Sequence, residues 1–330
     1  MPRRGRIFGG IVLLLGIAVA LVFAVGPREP LDLEPDFDAA RLPADLDAYL
    51  ATREATVGGI VPGAEKRIVW AGEPGAQTDW AVVYLHGFSA TAEEIRPVPD
   101  RVAAALGANL YYTRFAGHGV GPARFAGPSV NDWMIDVAEA LAIGKRIGAR
   151  VLVIASSTGG TLAAEAAVQR DLAARMDAVV FVSPNFGIRS PAAALLTWPF
   201  ARGWVAAVAG RERCFTTGSA AHARYWTACY PTEALLPLAA VAKHAAGQDY
   251  ATVTLPALFL LAEADRVVSP KATARVAARW GGPVTLRPLV VGAGDDPLSH
   301  VIAGDVLSPS MTAPVTEEIL RWARNLPRGG

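Results

Sequence analysis

Along most of its length the chain alternates between short unbroken apolar runs and longer stretches in which apolar residues recur every three or four positions. The first pattern predicts strands buried on both faces; the second predicts helices that lay one apolar side against them. Residues 80–85, 109–114, 151–154, 178–182, 257–261 and 284–290 are the strand candidates, with 66–71 as an edge strand. Helical patterns fill 91–106, 131–147, 161–170 and 311–325, and a short helix is expected around 45–53. This alternation implies an α/β architecture, with a mostly parallel central sheet and helices on both faces.

Two regions break the rhythm. Residues 186–251 carry helical patterns at 191–209 and 233–246, the aromatics Trp198, Phe200, Trp204, Tyr225, Trp226 and Tyr230, and no convincing strand. An insertion of this kind between core strands is expected to lie over the carboxyl edge of the sheet as a helical cap. Its aromatics either pack as core or line an acyl pocket. At the N-terminus, Arg3, Arg4 and Arg6 precede a run without charge that lasts until Arg28. As a helix rising about 1.5 Å per residue, positions 7–25 roughly match a hydrocarbon layer about 30 Å thick.

Residues 1–26 therefore read as a transmembrane signal anchor whose basic flank stays in the cytoplasm and whose remaining chain lies outside it. A signal cleaved near residues 22–24 and a buried core helix are the alternatives. Residues 27–41 are acidic and carry prolines, as suits a tether, and the folded domain is expected over 42–330.

Hydrophobic residues make up 52% of the chain and charged residues 18%, part of that imbalance coming from the N-terminal run. With 31 Lys plus Arg against 30 Asp plus Glu, no basic excess points to nucleic acid. The only cysteines, Cys214 and Cys229, lie in the insertion. In an oxidising compartment they can form a disulfide, and closing a loop of about 15 residues is worth about 3 kcal/mol in the chain-entropy model. Two cysteines without paired His or Cys nearby do not complete a four-ligand metal site.

Chemistry concentrates where strands end. The run at 151–154 stops in Ala155-Ser156-Ser157-Thr158-Gly159 and passes into a helical pattern. A serine at the tip of such a turn, with small residues two positions before and after, has the form of a nucleophile elbow. Spacing selects Ser157 over Ser156, because Gly159 stands two residues on. Ala155 in place of the first glycine is a mild departure. A plain Ser- and Gly-rich turn is the bland alternative.

After residues 80–85 comes His86-Gly87-Phe88-Ser89, a turn able to aim a backbone N–H into the same cleft. Oxyanion donors are therefore expected at Phe88 and, following the nucleophile, at Thr158. His86 reads as a structural turn residue and His118, among glycines, as a loop brace. Asp265 follows the strand at 257–261 and is the candidate acid; His300 arrives on the loop after 284–290 and is the candidate base. Asp295 and Asp296 lie closer to His300 along the chain and compete for the acid's role. The order Ser157, Asp265, His300 is the one found in α/β hydrolases.

On His86-Gly-Phe-Ser, Ala116-Gly-His-Gly-Val, Asn131-Asp-Trp with Asp136-Val137, Ser157-Thr-Gly-Gly, Ala264-Asp-Arg-Val-Val and Ser299-His-Val-Ile, the chain resembles bacterial carboxylesterases and monoacylglycerol lipases of the α/β-hydrolase superfamily. The resemblance covers about residues 80–325. It implies an α/β-hydrolase fold, cleavage of short to medium acyl esters or monoacylglycerol-like lipids, and no cofactor. It also implies catalytic roles for Ser157, Asp265 and His300, with Phe88 and Thr158 forming the oxyanion hole. A thioesterase, acyltransferase or amidase would use the same residues, and a non-catalytic binding protein would keep the same fold.

Overall fold

The computed structural model describes residues 2–326. Helix α1 (Pro2–Val25) leads, through an extended segment, to α2 (Leu46–Val57) and strand β1 (Arg67–Val69). The first part of the sheet follows as β2 (Thr78–Leu85), α3 (Val98–Leu106), β3 (Asn109–Tyr112), the single turn α4 (Pro122–Phe125), α5 (Val130–Ile147), β4 (Gly148–Ser156), α6 (Ser157–Val168), α7 (Arg170–Ala173) and β5 (Ala178–Val182). The insertion adds α8 (Ala201–Ala209), β6 (Glu212–Cys214), α9 (Ala220–Tyr225), β7 (Cys229–Pro231) and α10 (Leu235–Gly247). Strand β8 (Ala257–Ala262), α11 (Pro270–Ala277), β9 (Val284–Leu289) and α12 (Pro309–Arg324) complete the described chain.

The strand order is β1-β3-β2-β4-β5-β8-β9, parallel except for β1, which pairs antiparallel with β3. Alternate residues serve opposite layers, because side chains along a strand project to opposite faces. Val83, Val153, Phe181 and Phe259 enter the layer with α5, α6 and α11, whereas Tyr84, Ile154, Val180 and Leu258 enter the layer with α3 and α12. Strands β2, β4, β5 and β8 are thus buried on both sides, which is why they read as unbroken apolar runs.

One feature of this order opens the cleft. Strand β3 lies on one side of β2 and β4 on the other, so the chains leaving β2 and β4 turn away from each other at their carboxyl ends. Leu85 is in register with Ala155, so those two ends lie side by side.

Proline divides two of the expected helices. The pattern at 91–106 becomes a 3-10 turn, Ala92–Glu94, and then α3, with Pro97 and Pro99 at the junction. That at 191–209 becomes a 3-10 helix, Pro191–Thr197, and then α8, because Pro199 keeps Trp198 extended. Helix α5 begins with a capping box in which Ser129 is the N-cap and Asp132 accepts its backbone N–H in return.

The insertion also holds a two-stranded ribbon, β6 with β7, where no strand was expected. Cys214 faces Cys229 across it, and the two are joined as a disulfide. Three-residue strands with exposed or half-buried side chains carry too little apolar pattern to announce themselves; the crosslink holds the pair together.

The segment at 27–41 is not a free tether. Leu31, Leu33 and Phe37 pack against the main core, and the Gln169 and Asn131 side chains donate to the Leu33 and Glu34 carbonyls. Its alternation of apolar and polar residues is that of a strap: Asp32, Glu34, Asp36 and Asp38 face outward, whereas the Glu29 side chain is covered and paired with Arg202. Helix α1 is long and apolar enough over Phe8–Val25 to cross a membrane, and none of that window is buried by the rest of the chain. Its end rests on the cap: Phe23 meets Trp198 edge-on at 5.1 Å, Phe200 N–H donates to the Pro27 carbonyl at 2.7 Å, and Arg28 donates to the Thr197 carbonyl.

Candidate active site

The elbow is a strand that stops and a helix that starts with no residue between them: Ser156 ends β4 and Ser157 opens α6. Ser157 pays for that turn with φ of 46°, in the left-handed region a serine seldom adopts. The small neighbours have a steric cause. A methyl on Gly159 would strike the Leu85 carbonyl oxygen, and one on Gly160 would lie 2.8 Å from Pro184 Cβ. Ala155 is fully buried in the core and shows that the first small position accepts a methyl.

Asp265 sits just past β8 and His300 on the loop after β9, far from Ser157 in sequence, and the fold brings the three together. The Ser157 hydroxyl lies 3.0 Å from His300 Nε2, and His300 Nδ1 lies 2.8 Å from Asp265 Oδ2. The other Asp265 oxygen accepts the Val267 and Val268 N–H groups at 2.8 and 2.9 Å, so the carboxylate is fixed from both ends. Burial pushes the His300 imidazole down, but the hydrogen bond to Asp265 and the charges of Asp265, Glu94 and Asp296 outweigh it and hold the group above its ordinary value.

Asp295 and Asp296 take other roles. Asp296 accepts the main-chain N–H of His300 at 2.8 Å and of Val301 at 2.9 Å, while Asp295 accepts from Gly292 and Ser310. Both shape the loop that delivers the imidazole.

Phe88 and Thr158 lie on the two chain ends that part at the cleft. Thr158 is the second residue of α6, where backbone N–H groups have no partner within the helix. Phe88 follows Gly87, which is so close to the elbow serine that a methyl there would stand 3.0 Å from Ser157 Cβ. The Phe88 ring is held edge-on by Phe125, Trp133 and Tyr230, so an aromatic of the insertion reaches the loop after β2. The Thr227 N–H also donates to the Ser89 carbonyl at 2.7 Å. Of the other cap aromatics, Trp226 is buried, whereas Trp198 and Phe200 face outward beside the end of α1.

The two early histidines brace loops. Phe115 N–H donates to His86 Nε2 at 3.1 Å and His86 Nδ1 lies 2.9 Å from the Gly87 carbonyl, which ties the turn after β2 to the chain after β3. Burial, with His118 nearby, pushes His86 well below its ordinary value; burial likewise takes His118 down to about 4. Neutral rings of this kind suit a packed bracket rather than a proton relay.

Sequence reasoning missed Glu94. It is 2% exposed, and its Oε2 accepts both the Gly87 N–H at 2.6 Å and the Tyr84 hydroxyl at 2.9 Å. Glu94 stands in an amphipathic stretch beside Glu93 and reads there as a solvated residue. The one available signal is its distance of seven residues past Gly87, too loose a pattern to use.

A serine on a strained strand-to-helix turn, within hydrogen-bond reach of a histidine that in turn meets an aspartate, both from loops after later strands of a mainly parallel sheet, is the arrangement of an α/β hydrolase. The chain belongs to the family described as serine aminopeptidase, S33, whose model matches residues 76–287. Among solved structures it is similar to LipS and LipT, metagenome-derived lipolytic enzymes, with 20% identity, TM-score 0.65, and coverage of 81% of this chain and 100% of that one. It is also similar to the monoacylglycerol lipase of Paleococcus ferrophilus, with 15% identity, TM-score 0.56, and coverage of 78% and 98%. A soluble variant of monoglyceride lipase from Saccharomyces cerevisiae is a third, at 12% identity, TM-score 0.58, and coverage of 81% and 92%. No curated protein sequence matches the chain.

Proposed function

We propose that the chain is a membrane-anchored serine hydrolase that cleaves carboxylic esters, of short to medium acyl chains or monoacylglycerol-like lipids, through an acyl-enzyme. The observation that carries this reading is the hydrogen-bonded line from Ser157 through His300 to Asp265. In the first half-reaction His300 Nε2 takes the Ser157 proton as Oγ attacks the ester carbonyl. The carbonyl oxygen gains negative charge, for which the N–H groups of Phe88 and Thr158 are the donors. Collapse of the tetrahedral adduct breaks the bond to the alcohol, which leaves with the proton from His300. Water, deprotonated by the same imidazole, then attacks the acyl-serine and releases the acid. Asp265 keeps the Nδ1 proton in place and stabilises the imidazolium.

One feature supports an ester drawn from a lipid phase. The outward Trp198 and Phe200 stand at the foot of α1, so an anchored domain would hold its cap at the membrane surface. The basic flank of α1 supports a domain outside the cytoplasm, with secretion after signal cleavage as the alternative. The family's description favours a second reading, release of an amino-terminal residue from a peptide. Such a substrate needs an unengaged carboxylate for its ammonium group. Asp265, Asp296 and Glu94, the carboxylates that converge on His300, are each occupied by hydrogen bonds within the chain.

The test uses detergent-solubilised full-length protein, a fluorophosphonate, p-nitrophenyl acyl esters and aminoacyl p-nitroanilides. Ester turnover with an adduct mapped to Ser157 is expected. An adduct on Ser156, or none on active protein, overturns the assignment; faster turnover of the anilides moves the protein to the peptidase reading.

A further inference from the structure

Glu94 ends the 3-10 turn Ala92–Glu94 directly beneath the turn that follows β2. Its carboxyl has no cationic side chain within ion-pair distance among the described residues, and its hydrogen bonds come from the Gly87 N–H and the Tyr84 hydroxyl. A buried acid held by neutral donors is costly. A fold that needed only an acceptor for the Gly87 N–H would be served by an uncharged group.

The location gives the charge a use. A methyl on Gly87 would collide with Glu94 Oε1 on one side and crowd Ser157 Cβ at 3.0 Å on the other. Gly87 is therefore a single-residue partition between the carboxyl and the nucleophile. The donor that would face an oxyanion belongs to the very next residue, Phe88. The Gly87 N–H, held at 2.6 Å, fixes the His86–Gly87 peptide plane, and His86 Nδ1, 2.9 Å from the Gly87 carbonyl, holds the next plane, the one that carries the Phe88 N–H. A preformed donor direction is what oxyanion stabilisation requires, since reorienting a dipole during the reaction costs part of the gain.

We infer that Glu94 is a positioning residue for the hydrolytic centre, one that locks the His86–Gly87–Phe88 turn and presents a further buried carboxylate, beside Asp265 and Asp296, to the His300 imidazolium. This rests on the hydrolase reading above. The groups that face His300 are Asp265 from the β8 loop, Asp296 from its own loop, Glu94 from the turn after β2, and Ser157. His222 of α9 faces Asp296 from the cap, and Tyr84, Ser156 and His300 face Glu94. Burial raises the Glu94 carboxyl, opposed by its hydrogen bonds to Gly87 and Tyr84 and by the charge of His300. Glu94 thus gains most from being ionised when His300 carries a proton, which is the state formed during attack.

Two substitutions in the full-length protein separate the two parts of this role. Glu94→Gln keeps the shape and an acceptor for Gly87 but removes the charge; Glu94→Asp keeps the charge and withdraws it from Gly87 by one methylene. Steady-state kinetics on a p-nitrophenyl ester between pH 5 and 9, with active sites counted by fluorophosphonate, give kcat and KM per competent serine. Glu94→Gln is expected to lower kcat roughly tenfold or more, with KM within about twofold, and to move the acid limb of kcat/KM down by about half a unit. Glu94→Asp is expected to lose a similar factor in kcat while its acid limb stays near that of the wild type.

Wild-type kcat and an unmoved limb in Glu94→Gln overturn the proposal and leave Glu94 a fold-stabilising acceptor. Where Glu94→Gln does not fold, full kcat in Glu94→Asp overturns it equally. A wild-type protein that turns over esters without a Ser157 adduct instead refutes the hydrolase assignment itself, a separate and recognisable result.

Discussion

Asp296 reaches His300 through the main chain, accepting its backbone N–H at 2.8 Å, and leaves the ring to Asp265. The carboxylate nearer in sequence therefore holds the loop, and the one that meets the ring comes from the end of another strand. Asp265→Asn is expected to lower kcat by about 10⁴ with KM little changed, because the amide favours the wrong imidazole tautomer. Asp296→Asn keeps ring and acid paired but weakens the loop, so a loss of roughly tenfold or less is expected, with a lower Tm. Kinetics on both purified proteins, with folding checked by circular dichroism, decide the matter. A reversed ranking would give Asp296 the acid's role.

The pH dependence follows from the raised imidazole. In the proposed mechanism the base is neutral His300, so kcat/KM should rise with pH along a limb centred above the ordinary histidine value of about 6.5. Stability runs the other way. A group with a raised folded pKa contributes stability that is fully present below its unfolded value and is lost as pH rises through the folded one. Across that limb activity should climb while His300's contribution to stability falls. Kinetic titration and thermal melts over the same pH range test the pair of trends; parallel movement of the two would contradict the assignment.

Lys66 lies in a buried ionic cluster that joins the N-terminal elements to α5. Its ammonium meets Asp136 at 2.6 Å and also Glu139, while Arg114 holds Glu54 with two hydrogen bonds of 2.7 Å. Burial pushes the Lys66 amine down, yet Asp136 and Glu139 outweigh it and raise the group to about 12. Lys66→Met leaves two buried carboxylates facing each other and is expected to cost about 3–5 kcal/mol. Urea unfolding of the variant and wild type measures this. A change below about 1 kcal/mol would mean that the cluster is solvated or readily rearranged.

The exposed apolar face of α1 makes a prediction about location. Full-length protein is expected to remain with membranes after carbonate washing, with a C-terminal reporter outside the cytoplasm. A soluble product beginning near Val25 would show cleavage instead.

Local pattern was enough for the parts of this protein whose meaning lies within about ten residues of chain. The buried strands announced themselves because both their faces are apolar. The elbow at Ser157 was legible because Gly159 abuts the carbonyls of the neighbouring strand end and leaves no room for a side chain. The apolar N-terminal helix was legible from its length and lack of charge. The place of Asp265 just past a strand already singled it out, but only tertiary structure brings its carboxylate to the imidazole, since a carboxylate's partner depends on where two strand ends lie in the sheet. Tertiary structure alone placed Glu94 under the His86–Gly87–Phe88 turn, because a charged residue on an amphipathic stretch looks solvated until the neighbouring loop folds over it. It also turned the acidic segment at 27–41 into a strap and made a ribbon from Cys214 and Cys229. Short or extended elements take their stability from what they touch, and those contacts are not written in their own residues.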